Sequence, residues 1–181
     1  MVGWKNDDLV LYHGCSDRSL QPQSQNGLSV GSLPHNISLA AGGVRTEFGR
    51  GFYATTWLDQ AKGWANRQTK KLVARSGTGP SPRAVVVEFA VKRNDLADLQ
   101  SLVFLNEKAD YWPFVGYCRA GRPIHGRNGA SQSEYDVVYG PVSIWPQKFV
   151  IKDCDQVSFH SDAALSVIGK LTLTATGNPF F

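Results

Sequence analysis

The sequence is poor in cysteine: Cys15, Cys118 and Cys154 are the only three in 181 residues. An odd, scattered set with no CxxC pair excludes a disulfide framework and a structural zinc site. The four histidines, His13, His35, His125 and His160, show no metal-ligand spacing, so no metal is expected. Long apolar runs are missing too. No stretch of ~18 apolar residues occurs, which predicts no transmembrane helix and no membrane partner. The opening MVGWKNDDLVLYHG lacks a basic segment followed by an apolar one, so no standard secretion signal is read there. The expected location is the cytoplasm, or a target cell's cytosol reached by a route not visible in the sequence. There is no internal repeat, and no tract interleaves basic and aromatic residues as a nucleic-acid surface would.

What is present is a globular composition, 42% hydrophobic and 19% charged, with eighteen glycines and nine prolines. That many turn formers predict short, numerous strands. The length suits a single domain spanning 1–181. The net charge is +4, with basic clusters at Arg67, Lys70, Lys71 and Arg75 and at Arg119, Arg122 and Arg127. Such clusters are solvated surface or a lure for a polyanion, either a nucleic acid or a dinucleotide phosphate.

Strands are expected from Asp8 to Gly14, from Gly51 to Thr55, and over Ala84–Val91, whose unbroken apolar run AVVVEFAV reads as a central, buried strand. Two further strands are read in YDVVYGPV, Tyr135 to Val142, and QVSFHS, Gln156 to Ser161. Thr56-x-x-Asp59 matches a helix start, and Trp57, Ala61, Trp64, Ala65 and Leu72 form one stripe of a helix running to about Val73. Asn94 or Asp95 would cap a short helix through Leu99, followed by a strand in SLVFL. Asp110 would cap YWPFVGYCRA, closed by Gly121, with Pro113 in the first turn. Ser161 or Asp162 would cap a last short helix. Residues 15–47 read mostly as loop, with a short helix in SLPHNISLAAG. The sum is an α+β fold with mostly antiparallel strands.

The chemistry gathers around three short motifs. Tyr53 ends a strand and Trp64 lies eleven residues on, so two rings can face each other across a slot. A flat heterocycle stacked there gains ~1–3 kcal/mol per face, and more if it is cationic, as oxidised nicotinamide is. His13 and Gly14 sit in the apolar YHG stretch. Taken alone, the glycines are turn residues.

Taken in order, YHG, then GFYATTWLDQAKGWA, resembles the ADP-ribosyltransferase superfamily of the histidine–tyrosine–glutamate type, to which diphtheria toxin and the poly(ADP-ribose) polymerases belong. Within it the sequence is most similar to a group of small bacterial domains. The likeness extends through Trp112-Pro113-Phe114-Val115 with Arg119, YDVVYGP and QVSFHS, nearly the whole chain.

The resemblance implies an ADP-ribosyltransferase-like fold, two packed sheets with flanking helices around an NAD cleft. It implies NAD as co-substrate and no metal. His13 would bond a ribose hydroxyl, Gly14 the nicotinamide amide, Tyr53 and Trp64 the nicotinamide ring, and Thr55 a ribose. In active members a glutamate opens the late strand and steadies the cationic ribose as nicotinamide leaves. Here that position is Gln156, which binds a hydroxyl but supplies no charge. Glu134 and Asp136, two residues apart and so on one face of a strand, are the candidate replacements, Asp136 foremost. Gln156, Asp136 and Tyr53 thus form the expected catalytic set. The implied activity is mono-ADP-ribosyl transfer to a protein or nucleic-acid acceptor, as a toxin or effector with a cognate inhibitor or antitoxin as a further partner. The alternatives are NAD hydrolysis and an inactive module that binds a nucleotide or RNA in the same pocket.

Overall fold

The computed structural model describes residues 6–23, 27–29, 46–75, 79–108, 110–121 and 135–181. Within them the fold is α+β, built on two mostly antiparallel open sheets. The first has the order β1 (Leu9–Ser16), β5 (Ala84–Val91), β9 (Thr172–Thr176). The second has the order β4 (Phe52–Ala54), β8 (Phe149–Phe159), β7 (Val137–Ile144), β6 (Ser101–Val103). In it only β6 runs parallel to its neighbour. A small hairpin of β2 (Gln21–Gln23) and β3 (Gly27–Ser29) stands apart from both. The helices are α1 (Leu58–Val73), α2 (Arg93–Ala97), α3 (Tyr111–Arg119) and α4 (Asp162–Ser166).

Strand β5 explains its own sequence. It is the middle strand of its sheet, as its apolarity predicts. Its odd residues, Val85, Val87, Phe89 and Val91, enter the core shared with Leu11, Phe52 and Phe159. Ala84 and Val86 on the other face meet Ala61 and Ala65 of α1. A strand covered on both faces needs no polar alternation. Each fully buried Phe or Val contributes roughly 1.5–3 kcal/mol. A second core lies on the outer face of the four-stranded sheet, where Phe48, Phe104, Tyr111 and Val115 pack around Val138. Gly140 makes room for it: a Cβ there would come within 2.9 Å of Phe48 Cζ.

Several boundaries differ from the sequence expectation. Thr56 does not cap α1. Its N–H and hydroxyl both go to Asp155, and Trp57 takes the cap position without a side-chain bond. The buried stripe of α1 is Ala61, Ala65 and Thr69, while Trp57 and Trp64 lie on the surface. Small residues face inward because the helix sits almost on the backbone of β1. Helix α2 starts after Lys92 rather than at Asn94 or Asp95. Strand β8 begins at Phe149, seven residues before Gln156. Its first half is partly exposed, carries Asp153 at φ 55 and pairs with β7 across a register shift, so it shows no clean alternation. Ser161 caps α4 as expected, accepting from Ala164 N–H at 3.1 Å. Gly121, at φ 74, closes α3. The helix expected in SLPHNISLAAG lies outside the described residues.

Candidate functional site

The two sheets meet at their edges, β1 and β4, through one bridge. Tyr12 N–H donates to Thr55 C=O at 2.8 Å, and Thr55 N–H to Tyr12 C=O at 2.9 Å. Backbone groups alternate sides along a strand. With Tyr12 turned toward β4, Gly14 turns its N–H and C=O the same way, and His13 turns its own toward Val87 of β5. Continued two residues, the antiparallel bridge sets Gly14 opposite Tyr53. No backbone pair forms there among the described residues. The strands part at that point, leaving the donor and acceptor of Gly14 directed into the gap.

His13 ties the gap on its inner side. Its Nδ1 lies 2.6 Å from Tyr53 C=O. A carbonyl only accepts, so Nδ1 carries the hydrogen and the neutral ring keeps Nε2 as an acceptor. Burial lowers the pKa of this histidine, and the bond to Tyr53 only partly offsets it. The ring packs on Phe52 at 4.7 Å between centroids.

The phenol of Tyr53 is anchored. Its hydroxyl is 2.6 Å from Gly49 C=O and 3.0 Å from Thr46 Oγ1, and it accepts from Phe48 N–H at 3.0 Å. Burial raises its pKa far above that of a free phenol. With the hydroxyl fully engaged by residues 46–49, Tyr53 offers a ring rather than a proton donor.

Helix α1 is set by two clamps. Gln60 bonds both ways with the backbone of Asp155: Nε2 donates to its C=O at 2.6 Å, and Oε1 accepts its N–H at 3.1 Å. The Asp155 carboxylate takes Thr55 Oγ1–H at 2.7 Å and Thr56 N–H at 2.9 Å. Thr55 therefore gives its hydroxyl hydrogen to Asp155, in a buried position, and the ribose contact expected of it has no free hydroxyl hydrogen to use. The other clamp is steric. A Cβ on Gly14 would lie 2.0 Å from Ala61 C=O and 3.0 Å from Ala65 N. Trp64 lies between those two alanines in sequence, on the turn that covers Gly14. It is 50% exposed, with the Arg67 guanidinium 5.9 Å from its ring centroid on one face. Gly14 is thus the common neighbour of the Tyr53 strand and the Trp64 helix, and the two rings do not touch.

Gln156 lies on the same face of β8 as Ser158, the partner of Tyr53, and is nearly buried. Its Nε2 donates to Glu47 Oε2 and, at 3.1 Å, to Pro141 C=O. Glu47 also accepts from Ser143 Oγ and, at 2.5 Å, from Ser143 N–H, and its Oε1 is 4.0 Å from Arg119 Nη2. No sequence motif pointed to Glu47. It follows a long polar stretch and lacks a patterned neighbour, so only the tertiary fold brings it to Gln156.

Asp136 is not part of this group. Its carboxylate accepts from Gln100 N–H at 3.0 Å and from Ser161 Oγ, joining β6, β7 and the start of α4. Gln156 pairs with Gly140, four residues or ~13 Å further along β7. The structure thus brings His13, Gly14 and Tyr53 together, sets Trp64 and Gln156 on flanking elements, and leaves Asp136 at the far end of the sheet. Glu134 lies outside the described residues. Among the described residues no cluster of histidine, cysteine and carboxylate side chains is arranged to hold a metal ion. No helix among them is long and apolar enough to cross a membrane.

A family model described as "Protein of unknown function (DUF3990)" matches residues 33–144. That span holds Tyr53, Trp64, Glu47 and Arg119 and stops short of Gln156. No curated protein matches the chain.

Proposed function

The chain belongs to that DUF3990 family, whose description assigns no activity, and we propose from the site itself that the protein is a mono-ADP-ribosyltransferase of ADP-ribosyltransferase-like fold, using NAD as co-substrate and a protein or nucleic acid as acceptor. One observation carries the reading: the N–H and C=O of Gly14, without a backbone partner among the described residues where β1 and β4 part, beside the strand of Tyr53 and under the helix of Trp64. A primary carboxamide is the complement of that donor and acceptor. A flat ring attached to it would lie alongside Tyr53 and Trp64, and nicotinamide is such a ring. His13, with Nδ1 bonded to Tyr53 and Nε2 without a hydrogen-bond partner among the described residues, accepts from a ribose hydroxyl.

In the reaction the bond between ribose C1′ and the nicotinamide nitrogen breaks and its electron pair stays with the ring. The acceptor nucleophile then bonds C1′ and gives up its proton. Gly14 holds the leaving ring by its amide, the aromatics fix the ring plane, and Gln156 presents an acceptor oxygen to a ribose hydroxyl. A second reading, NAD binding with water as acceptor or with no transfer, is favoured by one observation: the amide of Gln156 carries no charge.

Labelled NAD incubated with the protein and a cell lysate separates these outcomes. A labelled macromolecule supports transfer. Free nicotinamide without a labelled band supports hydrolysis. A thermal shift by NAD with neither product supports binding alone, the shift growing as RT ln(1 + [L]/Kd). No shift and no product overturns the NAD reading.

A further inference from the structure

We propose that Glu47 is a positioning residue that turns the Gln156 amide so that its oxygen, not its nitrogen, faces the substrate; this rests on the reading of the site as an NAD site. Both Nε2 hydrogens of Gln156 are taken, one by Glu47 Oε2 and one by Pro141 C=O. Both partners are pure acceptors, which fixes the amide's orientation without ambiguity. Oε1 has no hydrogen-bond partner among the described residues, and it is not among the side-chain atoms sealed from solvent without one. The one polar atom Gln156 offers outward is therefore an acceptor, as a glutamate's oxygen would be.

Glu47 is itself held in place. Ser143 donates twice to Oε1, from N–H and Oγ, and Arg119 approaches the same oxygen. This leaves Oε2 for Gln156. Pro141 C=O is steadied in turn by Tyr111 Oη, which donates to it at 2.9 Å. The negative charge absent from position 156 thus stands one hydrogen bond behind it, on a side chain from another segment. Through the Nε2–H bond it polarises the amide and raises the electron density on Oε1. A ribose hydroxyl bonded to Oε1 becomes more acidic as positive charge develops on the sugar, so the contact strengthens in the transition state.

The substitution Glu47→Gln tests this by changing one atom. Its amide oxygen still accepts from Ser143, but its nitrogen then meets Gln156 Nε2, donor against donor. Gln156 relieves that contact by flipping, which turns Nε2 outward but sets Oε1 against Pro141 C=O in place of the 3.1 Å bond. A ribose hydroxyl still pairs with a donor in the ground state, so binding survives while transition-state stabilisation is lost. The expected result is a fall of tenfold or more in kcat for nicotinamide release, with KM for NAD within about threefold of wild type. The exchange variant Glu47→Gln with Gln156→Glu restores one carboxylate and one amide in reversed order, and its kcat recovers in part, a carboxylate at 156 having no hydrogen for Pro141 C=O. Thermal unfolding accompanies each measurement. If Glu47→Gln does not fold, a folded and active exchange variant supports the proposal. Wild-type kcat in Glu47→Gln overturns it, as does an exchange variant that recovers nothing. Wild-type protein that releases no nicotinamide overturns this inference, and one that also gains no thermal shift from NAD overturns the function reading with it. An active wild type indifferent to Glu47→Gln overturns the inference alone.

Discussion

His13 and Tyr53 are joined across the line where the two sheets separate, the imidazole Nδ1 standing 2.6 Å from the main-chain oxygen of Tyr53. A side chain here takes the carbonyl that a neighbouring strand would otherwise pair. The join works only while the ring is neutral enough to lie buried.

Stability should therefore fall on the acid side. Burial lowers the pKa of His13 below its ordinary 6.5. Between the lowered folded value and 6.5 the unfolded chain binds more protons, so stability rises with pH across that window and is lost as pH falls through it. The variant His13→Gln donates to Tyr53 without titrating. Unfolding midpoints measured from pH 5 to 8 should show a steeper acid loss in wild type than in this variant; parallel curves would refute the assignment.

Gly14→Ala should be among the most damaging single changes. The added carbon would sit 2.0 Å from Ala61 C=O and 2.8 Å from Ala61 C, backbone atoms that yield only if α1 moves as a unit. Overpacking of this kind costs about 1–3 kcal/mol or more. Urea unfolding should show a loss in that range, whereas Gly63→Ala, which meets nothing within 4 Å, should be neutral or slightly stabilising.

Trp64→Ala and Tyr53→Phe should separate binding from stability in opposite ways. Trp64 is half exposed, so removing it should cost little stability but ~1–3 kcal/mol of NAD affinity, the worth of one stacked face. Tyr53→Phe keeps the ring and removes a hydroxyl with three contacts to residues 46–49. It should lower stability by about 1–3 kcal/mol and leave the affinity of the folded protein within a few-fold of wild type. Thermal unfolding with and without NAD reads both effects.

Much of the frame was legible because local pattern and tertiary role agree. Ala84–Val91 reads as a central strand because it is apolar on both faces, and it is one. Pro113 falls in the first turn of α3, where its missing N–H costs nothing. The stripe of α1 was misread because tryptophan outweighs alanine on any hydropathy scale. In the fold, close approach to Gly14 admits only alanine. The likeness of YHG and GFY to a known family marked His13, Gly14 and Tyr53 as neighbours, and the β1–β4 bridge sets them side by side. Asp136 drew notice as a carboxylate before a strand, but strand starts also recruit such residues to fasten adjoining turns, as it does to Gln100 and Ser161. Glu47 and Asp155 were invisible for a common reason. Glu47 reaches Ser143 and Gln156, and Asp155 reaches Thr55, Thr56 and Gln60, across 95 to 109 residues, a separation that no periodicity encodes.

Gln60 grips the main chain of Asp155 by both ends of its amide. The next residue in one direction is Gln156, and one helical turn on from Gln60 is Trp64. The helix that bears the indole and the strand that bears the outward oxygen are therefore spliced, like the two arms of a calliper locked at one setting. On the proposed reading, the span from ring to oxygen is gauged before NAD arrives, so the distance between its aromatic head and its sugar is measured against a fixed rule.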